Sequence, residues 1–293
     1  MPELLGKEYE LGPRYPHGSN IYKKVNDPDI AKDENKLMLI RHVAEKYLNW
    51  RSAALSVEHT DESRFVERQT TLYQDYRNFL DEPRIDAFDS RGALQPSALE
   101  EFCYFLFRPL LVDYGEAIAV GHHNVFQGMY FTSPSFSEFS VMPTPRYPVG
   151  NLDFVIGKKL ESRIVADEQQ SEQTLYLPAV AIECKMYLDR PRYIESDILA
   201  SNIKRGFPGC LYVVLSEFLK LDLNKVSVLG SPIDKIYVLR RAQNVDRKIR
   251  RTSNAPLPPL HFPAVKDLFD QVNKHLTEDW SAPENWSNTG VLK

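Results

Sequence analysis

The sequence has few cysteines, and none are closely spaced. Cys103, Cys184 and Cys210 are far apart along the 293 residues and lie in apolar stretches. Because no C-x-x-C pair is present, they predict reduced core residues rather than a zinc site or a disulfide framework. The motifs G-x-x-x-x-G-K-[ST] and G-x-G-x-x-G are also missing, so we expect no nucleotide cofactor.

Long apolar runs and targeting signals are absent as well. No apolar run approaches the roughly 18 residues that cross a bilayer, so we expect no membrane contact. The first residues, MPELLGKEYELGPRYPHG, have neither the basic flank nor the apolar segment of a signal peptide. These features predict a cytoplasmic protein.

The chain has no excess of basic charge, since it contains 36 lysines and arginines against 40 acidic residues and its net charge is −4. Any contact with nucleic acid must therefore come from a local cluster of basic residues. One such cluster occurs in the stretch KIYVLRRAQNVDRKIRRT, residues 235–252. We expect its side chains to neutralise DNA phosphates. The candidates are Arg240, Arg241, Arg247, Lys248, Arg250 and Arg251.

Two regions differ in their hydrophobic pattern. Residues 34–50 and 61–80 carry apolar side chains at helical spacing, and a polar stretch containing proline and glycine follows them. We therefore predict an N-terminal helical region at 1–92, for DNA recognition or subunit contact, and a second domain at 93–293.

The second region alternates between helices and strands. From residue 96 the predicted order is helix, three strands, helix, two strands and a closing helix. Within it, Ile194, Ile198 and Leu199 are predicted to face inward from one helix, and His122 and His123 are interpreted as loop residues. This order predicts an α/β fold with a central mixed sheet flanked by helices.

The stretch AVAIECKMYLD, residues 179–189, places two charges at the end of an apolar strand. Side chains alternate across a strand, so Glu183 and Lys185 share one face with two alanines, while the opposite face is wholly apolar. Asp153 interrupts the strand NLDFVIG in the same way. If the two strands are neighbours, these three side chains converge on one patch.

Two carboxylates oppose each other's ionisation unless a cation joins them. Magnesium suits such oxygen ligands because it keeps several waters and completes its shell with substrate phosphate. A lysine beside the ion can orient or deprotonate the attacking water, or stabilise charge on the phosphate. The alternative is a solvated strand end with a cross-strand salt bridge.

This pattern resembles the PD-(D/E)xK nuclease superfamily over roughly residues 96–216. Asp153 matches the first acidic position, Glu183-Cys184-Lys185 matches the E-x-K half, and Leu152 stands where the motif has proline. The resemblance implies that Asp153 and Glu183 hold Mg²⁺ with the Cys184 backbone carbonyl as a further ligand, and that Lys185 acts on the water.

An additional carboxylate from the preceding helix is common in that superfamily. Glu100 and Glu101 are both candidates, and we expect Glu101 to be the ligand because it lies beside the inward-facing phenylalanines. The E-x-K pattern by itself carries little weight, since Glu34-Asn35-Lys36 has it too, and Asp246-Arg247-Lys248 has the D-x-K form. Neither of those ends an apolar run.

The stretches IECKMYLD and LQPSALEEFCYFLF are also similar to restriction endonucleases of the BbvCI kind. That resemblance implies a Type II restriction endonuclease subunit that cuts double-stranded DNA at an asymmetric site, one strand per subunit, with a second nuclease subunit as partner. A heterodimer is favoured and a homodimer remains open. The alternatives are a repair or recombination nuclease of the same fold and a non-catalytic subunit that binds DNA or a partner.

Overall fold

A computed structural model of the chain describes residues 12–88, 94–222, 229–242, 257–278 and 280. The helical prediction for the N-terminal region is confirmed. Aspartates cap several of these helices, as with Asp61, whose side chain accepts a hydrogen bond from the Arg64 amide. The helices are α1 (Pro16–Val25), α2 (Pro28–Ala31), α3 (Glu34–Ser56), α4 (Glu62–Leu80) and α5 (Pro83–Phe88).

Helices and strands alternate after residue 93. The helical elements are α6 (Leu94–Phe107), a 3₁₀ segment (Arg108–Ala117), α7 (Phe136–Val141), α8 (Arg190–Gly206) and α9 (Phe262–Thr277). The strands are β1 (Ala119–Phe126), β2 (Tyr130–Thr132), β3 (Thr144–Arg146), β4 (Val149–Ala166), β5 (Gln169–Leu188), β6 (Leu211–Leu219) and β7 (Lys235–Val238).

The central sheet has five strands in the described chain, in the order β1-β4-β5-β6-β7. The first three strands are antiparallel neighbours, and β5, β6 and β7 run parallel, so the sheet is mixed as predicted. The long strands β4 and β5 form a hairpin, while β2 and β3 pair separately. No helix within the described ranges is long and apolar enough to cross a membrane.

The two faces of β5 belong to different hydrophobic clusters. Val180, Ile182 and Cys184 pack in the cluster that contains α6, as the predicted alternation requires, and Ala181 packs in the cluster beneath α8. The first cluster also contains buried residues of α1, α3 and α4. The N-terminal helices thus share a core with the sheet, and the division at residues 92 and 93 stays a prediction.

Of the three α8 residues predicted to face inward, Leu199 packs against the cluster beneath the helix, and the two isoleucines do not. Ile194 and Ile198 are 44% and 56% exposed, whereas Tyr193, Ala200 and Ile203 are buried. The helix begins after its cap, Asp189, and buries a stripe that includes small residues. Small side chains permit close packing but carry little hydrophobic signal, which is why the sequence pattern favoured the isoleucines.

His17 fastens α1 to two other helices. Its ring nitrogens hydrogen-bond to the hydroxyls of Ser97 in α6 (3.0 Å) and Tyr76 in α4 (2.7 Å). The ring is fully buried, and burial lowers the pKa of His17 from 6.5 to about 3. The folded protein therefore contains this histidine in its neutral form.

The neutral state of His17 predicts a loss of stability in acid. The unfolded chain takes up a proton at His17 below pH 6.5, and the folded chain does so only near pH 3, so this stabilisation declines as pH falls between those values. In that range this group lowers the free energy of unfolding by up to about 1.4 kcal/mol for each unit by which the pH falls. Urea unfolding at pH 7, 6, 5 and 4 should show the stability advantage of the wild type over His17→Gln shrinking; a constant difference would contradict the assignment.

Candidate active site

A β-bulge in β4 sets the position of Asp153. The register between β1 and β4 shifts between Gly121 and His123, so that Asp153 and Phe154 of β4 lie opposite the single residue His122. A bulge of this kind re-aims a side chain and is common beside active sites. Here the bulge lies at Asp153 of β4, the strand between β1 and β5.

The structure brings Asp153, Glu183 and Lys185 together. Their strands are neighbours, as the sequence interpretation required. The Asp153 carboxylate accepts a hydrogen bond from the backbone amide of Cys184 at 2.7 Å. The ammonium of Lys185 lies 3.2 Å from Glu183 Oε1 and 3.9 Å from Asp153 Oδ2. Two carboxylates and one cation therefore meet at the end of the apolar part of β5.

Glu183 is the most enclosed of the three, with 6% of its surface exposed. Its other oxygen, Oε2, has no hydrogen-bond partner among the described residues, and the same holds for the buried hydroxyl of Tyr212 on β6. A buried polar atom without a partner is energetically costly. Glu183 Oε2 is thus available to a cation. The Tyr212 hydroxyl is its neighbour, since burial, followed by the charge of Glu183 and a polar contact with that carboxylate, raises the pKa of Tyr212.

The local charges affect protonation at the site. Burial, reinforced by the negative charge of Glu100, raises the pKa of Asp153 to about 6. Desolvation lowers the pKa of Lys185, but the attraction of Glu183 and Asp153 outweighs it, so that this pKa is raised. Lys185 is therefore an ammonium group at neutral pH.

A third carboxylate reaches the site from α6, and it comes from Glu100. Ligand atoms of Glu100, His122 and Asp153 all lie within 4.8 Å of one another. Sequence reasoning interpreted His122 as a loop residue, but it lies within β1. The spacing of residues along the sequence could not reveal this three-residue cluster, because its members come from three elements that meet only in the folded chain.

Glu101, the predicted ligand, is not at the site. Its carboxylate is fully buried, accepts hydrogen bonds from the Tyr47 hydroxyl (2.7 Å) and the Gly18 amide (3.1 Å), and so fixes α1 and α3 to α6. Burial raises its pKa to about 7. The prediction was wrong because an inward position on α6 faces the N-terminal helices, whereas Glu100 faces the sheet edge.

Arg240 was predicted to contact phosphate and cannot do so. It is fully buried, and its Nε lies 2.6 Å from Glu217 on β6, which also bonds Arg77 at 2.7 Å. Arg241 is exposed and contacts His261. The other predicted DNA contacts, Arg247, Lys248, Arg250 and Arg251, lie outside the described residues.

The fold is that of a restriction endonuclease. Among solved structures, a chain of the native BbvCI A2B2 tetramer, determined at low resolution, aligns with a TM-score of 0.68 and 20% identity. The alignment covers 91% of this chain and 97% of the matched chain. At this identity the likeness establishes the fold alone. No curated protein matches the chain.

The model of the Bpu10I restriction endonuclease family matches residues 93–258, more than half of the chain. The chain belongs to this family. It is therefore a Type II restriction endonuclease, an enzyme that cuts DNA at specific sites, and the predicted resemblance to BbvCI-like enzymes is confirmed. The matched region contains Glu100, His122, Asp153, Glu183 and Lys185.

The burial of Arg240 generates a prediction about stability. Arg240→Ala should lower the free energy of unfolding by about 3 kcal/mol or more, because it leaves Glu217 buried with one of its two arginine partners missing. Arg241→Ala, at an exposed position, should change stability by less than about 0.5 kcal/mol. Urea denaturation of both variants measures the difference. A fully stable Arg240→Ala with weakened DNA binding would restore the original interpretation.

Proposed function

We propose that this chain is a Mg²⁺-dependent restriction endonuclease subunit that hydrolyses one strand of the DNA, with Asp153, Glu183 and Lys185 as its catalytic residues. The convergence of these side chains at one sheet edge, with the Lys185 ammonium 3.2 Å and 3.9 Å from the two carboxylates, carries the proposal. Family membership favours restriction over DNA repair as the role of the site.

The donor atoms at this edge fit a hard divalent cation. Asp153 and Glu183 offer carboxylate oxygens, and Glu183 Oε2 is buried without a partner among the described side chains. The Cys184 backbone carbonyl, between Glu183 and Lys185, is proposed as a further ligand. Oxygen ligands of this kind suit Mg²⁺. A bound cation would supply charge to stabilise the phosphate and to lower the pKa of a water.

Lys185 acts as a cation in this proposal. Its raised pKa makes it a hydrogen-bond donor rather than a proton acceptor at neutral pH. We infer that the ammonium group holds the attacking water or a phosphate oxygen beside the carboxylates. Such a fixed donor stabilises charge that develops as the phosphodiester bond breaks.

The number of sites implies a partner. The described residues contain one Asp153–Glu183–Lys185 set, and one set can hydrolyse one phosphodiester bond at a time. The structural neighbour is an A2B2 tetramer, which supports assembly of this chain with a second nuclease chain. We propose a heteromeric assembly in which each chain cuts one strand, and we propose DNA phosphate contacts for Arg241, Arg247, Lys248, Arg250 and Arg251.

Single substitutions at the site should abolish cleavage without unfolding the protein. Asp153→Ala, Glu183→Ala and Lys185→Ala each remove one charged group from the proposed site, so each should lower the cleavage rate by about 100-fold or more. Plasmid digestion with the assembled enzyme measures the rate, and circular dichroism checks the fold.

The second E-x-K stretch in the chain provides the control for these variants. Glu34 and Lys36 are exposed on the first turn of α3, so Glu34→Ala and Lys36→Ala should cut at the wild-type rate. Near wild-type cleavage by any of the three site variants would remove that residue from the mechanism.

Strand assignment gives a separate prediction. If the partner is a different chain, an assembly with Glu183→Ala here should nick the duplex and always spare the same strand. If two copies of this chain pair, the same change inactivates both sites and no specific nick appears. Sequencing the product ends distinguishes these results, and full double-strand cleavage would show that the site lies elsewhere.

A further inference from the structure

The side chain of His122 lies beside the carboxylates of the site. Its Nδ1 is 3.5 Å from Glu100 Oε2, and the bulge places Asp153 opposite it. Ligand atoms of all three side chains lie within 4.8 Å of one another, close enough for one cation to contact each. The imidazole is 39% exposed, so a hydrated ion can reach it.

The other ring nitrogen of His122 lies beside an asparagine amide. His122 Nε2 lies 3.2 Å from Asn151 Nδ2, and the same NH₂ group donates a hydrogen bond to Asn124 Oδ1 at 3.1 Å. In this orientation Nε2 accepts, and the proton of the neutral ring is on Nδ1, toward Glu100. An amide can present either its NH₂ or its oxygen to the ring. Metal binding through Nδ1 requires the amides of Asn151 and Asn124 both to be turned, so that the Asn151 oxygen accepts a hydrogen bond from Nε2–H, as an acceptor does in most histidine ligand sites.

A salt bridge between His122 and Glu100 is the simpler explanation of their contact. It accounts for two of the three side chains, while the third, Asp153, is held at the same point by its hydrogen bond from the Cys184 amide. A cation at that point would contact all three. It would also differ in chemistry from the Asp153–Glu183 position, since one of its ligands is nitrogen.

We propose that His122, with Glu100 and Asp153, forms a nitrogen-containing cation position that favours a divalent transition metal such as Mn²⁺ over Mg²⁺. Mg²⁺ takes oxygen ligands and keeps its waters. Imidazole binds the later divalent transition metals most strongly, and Mn²⁺, although it also suits oxygen ligands, accepts imidazole more readily than Mg²⁺ does. The inference rests on the proposed nuclease site, because the two positions share Asp153. It adds a rule for ion selection that the carboxylates alone do not supply.

The adjacent histidine provides a matched control. His123 is the next residue in β1, and its ring stacks on Tyr176 with centroids 4.6 Å apart. It is not a member of the three-residue cluster. Substituting either histidine by glutamine removes one imidazole from the same strand, but only His122→Gln removes a proposed ligand.

The test measures binding of the ions themselves to the full-length protein without DNA. Titration calorimetry with Mg²⁺, and electron paramagnetic resonance with Mn²⁺, give both dissociation constants for each variant. His122→Gln should weaken Mn²⁺ binding by about tenfold or more and Mg²⁺ binding much less. His123→Gln should leave both constants unchanged. His122→Asp, which supplies an oxygen ligand, should shift the preference toward Mg²⁺.

Two results would overturn the inference. Unchanged Mn²⁺ binding by His122→Gln would show that the imidazole is not a ligand, and an equal loss for both ions would show that it only positions Glu100. Cleavage by Asp153→Ala separates this question from the proposed function. If Asp153→Ala is inactive while His122→Gln binds Mn²⁺ normally, only the ion-selection inference falls, whereas an active Asp153→Ala removes the nuclease site itself.

Discussion

The hydrogen bond from the Cys184 amide to the Asp153 carboxylate is the contact on which the site depends. It joins the bulge of β4 to the point on β5 where the apolar alternation gives way to Glu183 and Lys185. The pairing of β4 with β5, in which Phe154 lies opposite Ile182, brings Asp153 beside Glu183, and the bulge lies at the same point on the β1 side. The apolar face of β5, buried against α6, holds the strand in this register.

The N-terminal helices contribute to the same geometry from the other side. Glu101 of α6 hydrogen-bonds to α1 and α3, and His17 of α1 hydrogen-bonds to both α6 and α4. Buried polar contacts therefore fix the inner face of α6. Glu100, one residue away, is thereby held toward Asp153 and His122. The consecutive residues Glu100 and Glu101 thus have different roles: Glu101 forms hydrogen bonds in the core, and Glu100 lies at the sheet edge.

The sequence was sufficient to predict the mixed sheet, because the buried strands are continuous apolar runs and the helices carry clear caps and periodicity. It also located Asp153, Glu183 and Lys185, since a charge at the end of an apolar strand conflicts with burial and stands out. The choice between Glu100 and Glu101 failed because it depends on which neighbouring element each side of α6 faces. His122 and Arg240 were misinterpreted for the same reason, as their partners come from distant parts of the chain.

The central claim is that divalent cations bind at the edge where β1, β4 and β5 meet. Anomalous diffraction from crystals soaked in Mn²⁺ tests it most directly, because the ion is located without reference to activity. We expect an anomalous peak within direct ligand distance of the Asp153 carboxylate, beside Glu100 and His122 or beside Glu183. A strong peak at other side chains, with Asp153 bearing no ion, would contradict it.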